Sequence, residues 1–163
     1  NIMDEVDKKI EQWAIQMPEL DTKAMAITSR VLRISKHMSD ELTKSFRDYE
    51  LTDAGFDVLA TLLRIGPPHA LSPNQLLEQM LITSGTMTSR IDLLESKKLV
   101  KRTTNKKDKR SVTVSLTPKG LSLIEKVIVE HAQSQKAVVS CFTSAEQAQF
   151  EHLLKRYLTQ IGY

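Results

Sequence analysis

The chain has 163 residues, of which 40% are hydrophobic, 26% charged and 5% aromatic. This ordinary globular mixture excludes wholesale disorder and fits one domain, or one domain with an appended dimerisation element. Five glycines, five prolines and the single cysteine Cys141 leave little room for a Gly-rich cofactor loop, a turn-rich all-β fold or a disulfide framework.

No apolar run approaches the roughly 18 residues that a transmembrane helix needs. The N-terminal segment is acidic and amphipathic, unlike a signal peptide. We therefore expect a cytoplasmic protein in a reducing compartment, with no membrane partner.

The net charge of +3 hides an asymmetry. Residues 97–110 hold eight Lys and Arg against one Asp, so this segment carries +7 and the rest of the chain carries −4. Such a run is either a solvated loop or an element that binds phosphate groups. The elements around it must decide between these two interpretations.

Two helices are predicted at the N-terminus. Apolar residues spaced by three or four form a stripe that ends before Pro18: Val6, Ile10, Trp13 and Met17. Asp21 or Thr22 can cap a second, longer helix that continues to Phe46. Its apolar stripe is wide enough to pack on two sides, and a partner subunit is a natural second side.

Three helix start signals follow. Thr52 opens a helix that ends at Gly66, and Ser72 begins a capping box with Pro73 and Gln75. Thr83 is the expected cap of the next helix, whose buried stripe is Met87, Ile91 and Leu94. Two short helices joined by about three residues are typical of a helix-turn-helix.

The hydrophobic period changes at Leu99. Residues 99–103 are typical of a short strand, and residues 111–116 alternate between apolar and polar. Together they predict a β-hairpin with the basic run along its first strand and tip. Thr117 with Pro118 then starts a long helix, and Thr143 with Glu146 forms a capping box for the last helix. A basic hairpin tip favours the phosphate-binding interpretation.

The predicted fold class is mainly α: a winged helix-turn-helix with long N- and C-terminal dimerisation helices and one hairpin wing. We divide the chain into residues 1–50 (N-terminal dimerisation helices), 51–116 (the DNA-binding lobe) and 117–163 (C-terminal dimerisation helices). The major groove of double-stranded DNA admits one helix, and a basic hairpin can lie along a flanking minor groove.

Three segments resemble the MarR family of bacterial transcription regulators: LTDAGFDVLATL (51–62), LSPNQLLEQMLITSGTMTSRIDLLESKKLVKR (71–102) and DKRSVTVSLTPKG (108–120). The resemblance implies a homodimer that regulates transcription from an inverted-repeat operator, and we expect it to act as a repressor. It also implies that Arg110 enters the minor groove and that Asp108 pairs with it and holds the wing. The expected DNA contacts are Thr83, Ser84, Thr86, Thr88, Ser89, Arg90, Lys106, Lys107, Lys109 and Arg110.

The extra first helix with Trp13 resembles the urate-responsive branch of that family. The resemblance implies a ligand site made of Trp13, Asp57, Arg90 and Arg102. An aromatic face and two guanidinium groups suit a flat purine-like or aromatic anion. Trp13 also lies on the apolar stripe of its helix, so a plain packing role is an equal alternative.

Other functions have weaker support in the sequence. The four histidines do not have the spacing of metal ligands, so we expect no metal and no cofactor. We expect His131 to be an interface residue, because it lies on an apolar helical face. No nucleophile–base motif appears, so we expect no enzyme. Two alternatives stay open: a redox-responsive regulator acting through Cys141, and a dimeric scaffold whose basic hairpin meets an acidic protein or a membrane surface.

Overall fold

The computed structural model describes residues 2–80 and 87–163. The chain forms two compact units, residues 1–42 and 43–163. The fold is mainly helical with a small antiparallel sheet, as predicted, and the described helices include none that is long and apolar enough to cross a membrane. The elements are α1 (Glu5–Gln16), α2 (Lys23–Thr43), a 3-10 helix (Lys44–Tyr49), α3 (Asp53–Arg64), β1 (Ala70–Leu71), α4 (Pro73–Gln79), α5 (Met87–Ser96), β2 (Val100–Thr104), β3 (Val112–Leu116), α6 (Pro118–Val138) and α7 (Ser144–Gln160).

Within the first unit, α1 begins at a capping box formed by Asp4 and Asp7. The guanidinium of Arg30 on α2 donates to both carboxylates, at 2.9 and 3.1 Å to Asp4 and 2.8 Å to Asp7. Charge-assisted hydrogen bonds of this kind fix the start of α1 against α2.

The second predicted helix is shorter than the sequence indicated. The α-helix ends at Thr43 and a 3-10 helix follows, in which Phe46 is buried. The backbone of Glu50 is left-handed, and the N–H of Leu51 donates to the carbonyl of Phe46 at 2.9 Å. This tight C-terminal turn stops the helical stripe and places the ring of Phe46 against Phe56, with 4.3 Å between ring centroids.

The second unit holds the apolar core. As predicted, Thr52 caps α3 through the N–H of Gly55, and Ser72 forms a reciprocal capping box with Gln75. The predicted apolar stripe of α5, Met87, Ile91 and Leu94, is buried, and the helix packs against α3 and α4. Side chains that are fully buried between these helices and the sheet are Val58, Leu59, Leu62, Leu76, Val114, Ile124 and Val127.

The sheet has the strand order β1–β3–β2, and both pairings are antiparallel. The hairpin of β2 and β3 is the predicted wing. β1 was not predicted, because a strand of two residues is too short to show an alternating pattern. It pairs Ala70 with Ser115 and Leu71 with Val114, which fastens the wing to the start of α4.

The predicted Thr117 cap opens α6, and Gly120 is required just inside it. A Cβ atom at Gly120 would lie 1.9 Å from the carbonyl oxygen of Leu99. At α7 the hydroxyl of Thr143 accepts from the N–H of Glu146, as predicted. The reciprocal half of that box is different, since the Glu146 carboxylate accepts from the Thr143 hydroxyl and not from the backbone.

Candidate nucleic-acid interface

The first described turn of α5 presents polar side chains. Thr88 and Ser89 are exposed, whereas Arg90 is half-buried. The difference in exposure follows from helix geometry. Met87 and Ile91 are buried in the core, so Thr88 and Ser89 point to solvent and Arg90 lies between the two faces. The predicted contacts Thr83, Ser84 and Thr86 lie outside the described residues.

Two Asx turns shape the tip of the wing. The side chain of Asn105 accepts from the N–H of Lys107 at 2.9 Å, and that of Asp108 accepts from the N–H of Arg110 at 3.0 Å. The N–H of Asn105 closes the loop on the carbonyl of Ser111. The loop is therefore ordered by its own side chains although it is rich in like charges.

The wing tip displays its cations to solvent. Lys106, Lys107, Lys109 and Arg110 are all exposed. The expected pairing of Asp108 with Arg110 takes another form: Asp108 holds the backbone of Arg110, and no ion pair joins the two side chains in the described part of the chain. The Asp108 carboxylate accepts a hydrogen bond within the turn. The position of the Arg110 guanidinium is therefore set by the loop backbone and not by Asp108.

The predicted ligand residue Arg102 forms its hydrogen bonds within the protein. It lies on β2, and its side chain binds Asp92 and Glu95 of α5, with 3.2 Å between Nη1 and Glu95 Oε1. Its Nη2 also donates to the carbonyl of Thr88 at 3.3 Å. The hydrogen bond to Asp92 raises the pKa of Arg102 further above its ordinary value.

A cavity of about 410 Å³ lies between the start of α3 and the face of α5. Thr52 and Gly55 line it on one side, and Arg90 and Lys97 line it on the other, with Glu50 at its edge. This volume is in the range of small-molecule sites. Two cations beside a helix N-terminus favour an anionic guest.

Asp57 on α3 is close enough to Arg90 for their charges to interact. Burial raises the pKa of the Asp57 carboxyl above its ordinary value, against the lowering effects of Arg64 and Arg90. Oδ2 of Asp57 and Nη1 of Arg90 are both buried and form no hydrogen bond with the described residues. The second unit thus contains three of the four predicted ligand residues, and two of them, Asp57 and Arg90, keep a buried polar atom without a partner among the described residues.

The remaining predicted residues lie elsewhere. Trp13 belongs to α1 in the other unit, and its side chain is 40% exposed while Val6 of the same stripe is buried. Cys141 is a free, exposed thiol between α6 and α7. The ring of His131 is tilted against that of Phe56, with 4.6 Å between ring centroids, so it is an internal aromatic contact of its unit.

Three residues that form contacts at this site were not predicted from the sequence. Asp92 and Glu95 are one turn apart on α5 and accept from Arg102, and the ammonium of Lys97 donates to the carbonyl of Glu50. The i, i+3 spacing of the two acids showed that they share a helix face. Their partner could not be read from it, because that partner comes from a strand.

Comparisons with known proteins identify related sequences. The MarR family model matches residues 49–111. The HTH-type transcriptional regulator PecS of Dickeya dadantii is 36% identical over 152 residues, which cover 93% of this chain and 92% of PecS.

Two solved structures are similar in fold. A mutant of MarR from Escherichia coli complexed with operator DNA gives a TM-score of 0.71 at 25% identity, over 86% of this chain and 99% of that chain. BpsR of Bordetella bronchiseptica, whose DNA binding is regulated by 6-hydroxynicotinic acid, gives 0.68 at 26% identity, over 80% of this chain and 91% of that chain.

PecS is a transcriptional regulator, and the MarR structure holds operator DNA. The similarity to PecS extends over nearly the whole of both chains and includes the wing and the helices on either side of it. The chain belongs to the MarR family of DNA-binding transcriptional regulators.

Proposed function

We propose that this protein is a homodimeric repressor of the cytoplasm that binds an inverted-repeat operator and is released by a small aromatic or purine-like anion. The observation that carries the DNA-binding part is the wing tip, where four exposed cations stand on a loop ordered by two Asx turns. An ordered cationic tip presents its charges to phosphate groups at a smaller entropic cost than a flexible tail.

The wing and α5 would divide the contact with DNA. Lysines at the tip bind the phosphate backbone, which positions the protein without reading sequence. Arg110 enters a minor groove, where a narrow A·T-rich segment attracts guanidinium. Thr83, Ser84, Thr86, Thr88, Ser89 and Arg90 form the set proposed for the major groove and its phosphates.

Exposed apolar faces support the homodimer. On α2, Ile27 is 68% and Leu32 72% exposed; on α7, Leu153 is 58% and Tyr157 67% exposed. Apolar residues repeated along two separate helices form patches that monomeric proteins rarely leave in water. A second copy related by a two-fold axis would cover them and place one winged helix on each half of an inverted repeat.

The cavity beside Arg90 supports the effector. It is of suitable size, and it is lined by Arg90 and Lys97. Arg90 keeps a buried polar atom without a partner among the described residues, and so does Asp57, which is not one of the residues that line the cavity. The regulation of BpsR by an aromatic acid favours this class of ligand. Trp13 stays in the proposed ligand set through the resemblance alone.

Two measurements test this function. An operator is selected from a pool of random duplexes, and the affinity of the protein for it is compared with its affinity for a scrambled duplex across a salt series. Urate, xanthine, salicylate and 6-hydroxynicotinic acid are then titrated into the complex. Sequence-dependent binding with release by one of these anions supports the proposal, whereas equal affinity for both duplexes at every salt concentration supports the scaffold alternative.

Redox control through Cys141 is the second candidate, since its thiol is free and exposed. Exposure is one of the two properties, with thiolate character, that make a thiol susceptible to oxidation to sulfenic acid. Treatment with hydrogen peroxide would then release the operator from the wild type and not from Cys141→Ser. Release of both proteins, or of neither, would contradict this mechanism.

A further inference from the structure

We propose that Arg102 is a positioning residue for DNA binding, which fixes the direction of the wing relative to α5 so that both engage one duplex together. This rests on the wing contact proposed above. It assigns Arg102 to the protein's own framework and removes it from the effector site.

The carboxylate of Glu95 holds Arg102 at two points. Oε2 accepts from the backbone N–H of Arg102 at 3.0 Å, and Oε1 accepts from Nη1 of its side chain at 3.2 Å. Because one carboxylate binds both the main chain and the head of the same residue, it fixes the orientation of β2 at that residue as well as its distance from α5.

The other side of the guanidinium reaches along α5. Nη2 donates to the carboxylate of Asp92 and to the carbonyl of Thr88, one turn earlier. A single side chain therefore contacts α5 over two turns, from Thr88 to Glu95. Thr88 belongs to the turn that carries the proposed major-groove contacts, so the same guanidinium connects that turn with the base of the wing.

Arg102 lies on β2, in the same strand that leads to the wing tip. Arg102 pairs with Val114 in the ladder, and the ladder continues through Thr104 to Val112. Asn105, where the basic loop begins, is the third residue after Arg102, which is about 10 Å farther along the strand. A rotation at Arg102 therefore moves the cations of the tip relative to α5.

The charge around Arg102 argues against an anion there. Arg102 with Asp92 and Glu95 carries a net charge of −1, and three of the N–H groups of its guanidinium already donate within the chain. A DNA phosphate or an anionic effector would have to displace a carboxylate and enter a negative neighbourhood. The cluster is suited to joining two elements.

A double-mutant cycle with the wing tip tests the proposal. Operator affinity and its salt dependence are measured for the wild type, Arg102→Ala, Arg110→Ala and the double variant. We expect Arg102→Ala to weaken binding roughly tenfold. We expect its salt slope to fall by more than about one unit, because several phosphate contacts of the wing are lost together. The loss caused by Arg110→Ala should be smaller in the Arg102→Ala background than in the wild type.

Matched variants separate positioning from charge. Lys101→Ala removes a neighbouring exposed cation of β2 and should add its effect independently of Arg110. Arg102→Lys keeps the charge but lacks the planar guanidinium that donates to several acceptors at once, so its operator affinity should stay below that of the wild type. If Arg102→Ala fails to fold, Glu95→Gln takes its place in the cycle, since it weakens the same link and retains Arg102.

Three results would overturn the assignment. One is a cycle in which the losses from Arg102→Ala and Arg110→Ala simply add. Another is full recovery of affinity with Arg102→Lys, which would show that the charge alone matters. The third is an Arg110→Ala variant with wild-type affinity, and this result alone would also remove the proposed wing contact.

Discussion

Nε of Arg30 donates to Oδ2 of Asp4 at 2.9 Å, and this hydrogen bond, with those to the backbone of α1, lowers the pKa of Asp4 to about 2. A carboxyl whose pKa is depressed in the folded state stabilises that state above its unfolded pKa, and the contribution disappears as the pH falls through the folded value. The relevant window therefore runs from the ordinary value of 3.8 down to about 2.

We expect Asp4→Asn to unfold more easily than the wild type at neutral pH, because asparagine keeps the helix cap but loses the charge. The difference between the two proteins should shrink as the pH falls from about 4 to about 2. Urea denaturation of both proteins across this range measures it. Glu11→Gln, an exposed change on the same helix, is the control. A difference that is constant with pH would contradict the role of the ion pair.

Gly120→Ala should destabilise the second unit, because its Cβ would lie 1.9 Å from the carbonyl oxygen of Leu99. The start of α6 and the start of the wing must then move apart, at about 1–3 kcal/mol in the free energy of unfolding. Denaturation curves measure this loss. Gly162→Ala, with no atom within 4 Å of the added Cβ, tests an uncrowded glycine, although the positive φ there adds its own strain. Equal small effects would contradict the close approach.

Arg110→Ala should weaken operator binding roughly fivefold to a hundredfold if its side chain reads a groove. Lys106→Ala, in the same exposed loop, should weaken binding less and equally for all sequences, while lowering the salt slope by about one unit. Fluorescence anisotropy with the operator and a scrambled duplex separates these patterns. Unchanged affinity of Arg110→Ala for the operator would disprove the minor-groove contact.

Leu153→Lys should shift the protein toward monomers, because this exposed side chain of α7 belongs to the proposed dimer face. Removal of residues 143–163 deletes one proposed dimer helix and should give aggregates, since the apolar face of the neighbouring helices is then exposed to water. Sedimentation velocity measures both, with Lys155→Glu as an exposed control on the same helix. A well-behaved monomer after the truncation would refute a shared dimer core.

Arg90→Ala should raise the concentration of effector needed to release DNA, because it removes a cation from the cavity wall. A coupling of about 1–3 kcal/mol between the two sites is expected. Trp13→Phe should keep operator affinity and also raise that concentration. The fluorescence of Trp13, the only tryptophan, reports binding directly. If none of the four test anions changes its emission or releases the operator at millimolar concentration, the effector proposal fails.

Local signals in the sequence sufficed for much of the fold. The caps at Thr52, Ser72 and Thr117 were predictable, since capping depends on residues within one turn. β1 and the end of α2 were not, because they depend on what lies across the core. The partners of Arg102 were hidden for the same reason: a cation on a strand and two acids on a helix meet only after folding.

The central claim is sequence-specific binding of an inverted repeat by a dimer. The most direct measurement is a sedimentation titration of the protein against three duplexes: the selected operator, the operator with one half-site scrambled, and a fully scrambled sequence. We predict two protomers on the intact operator, with affinity falling at least tenfold when one half-site is scrambled. Equal affinity for all three duplexes, or one protomer on the intact operator, would contradict the account.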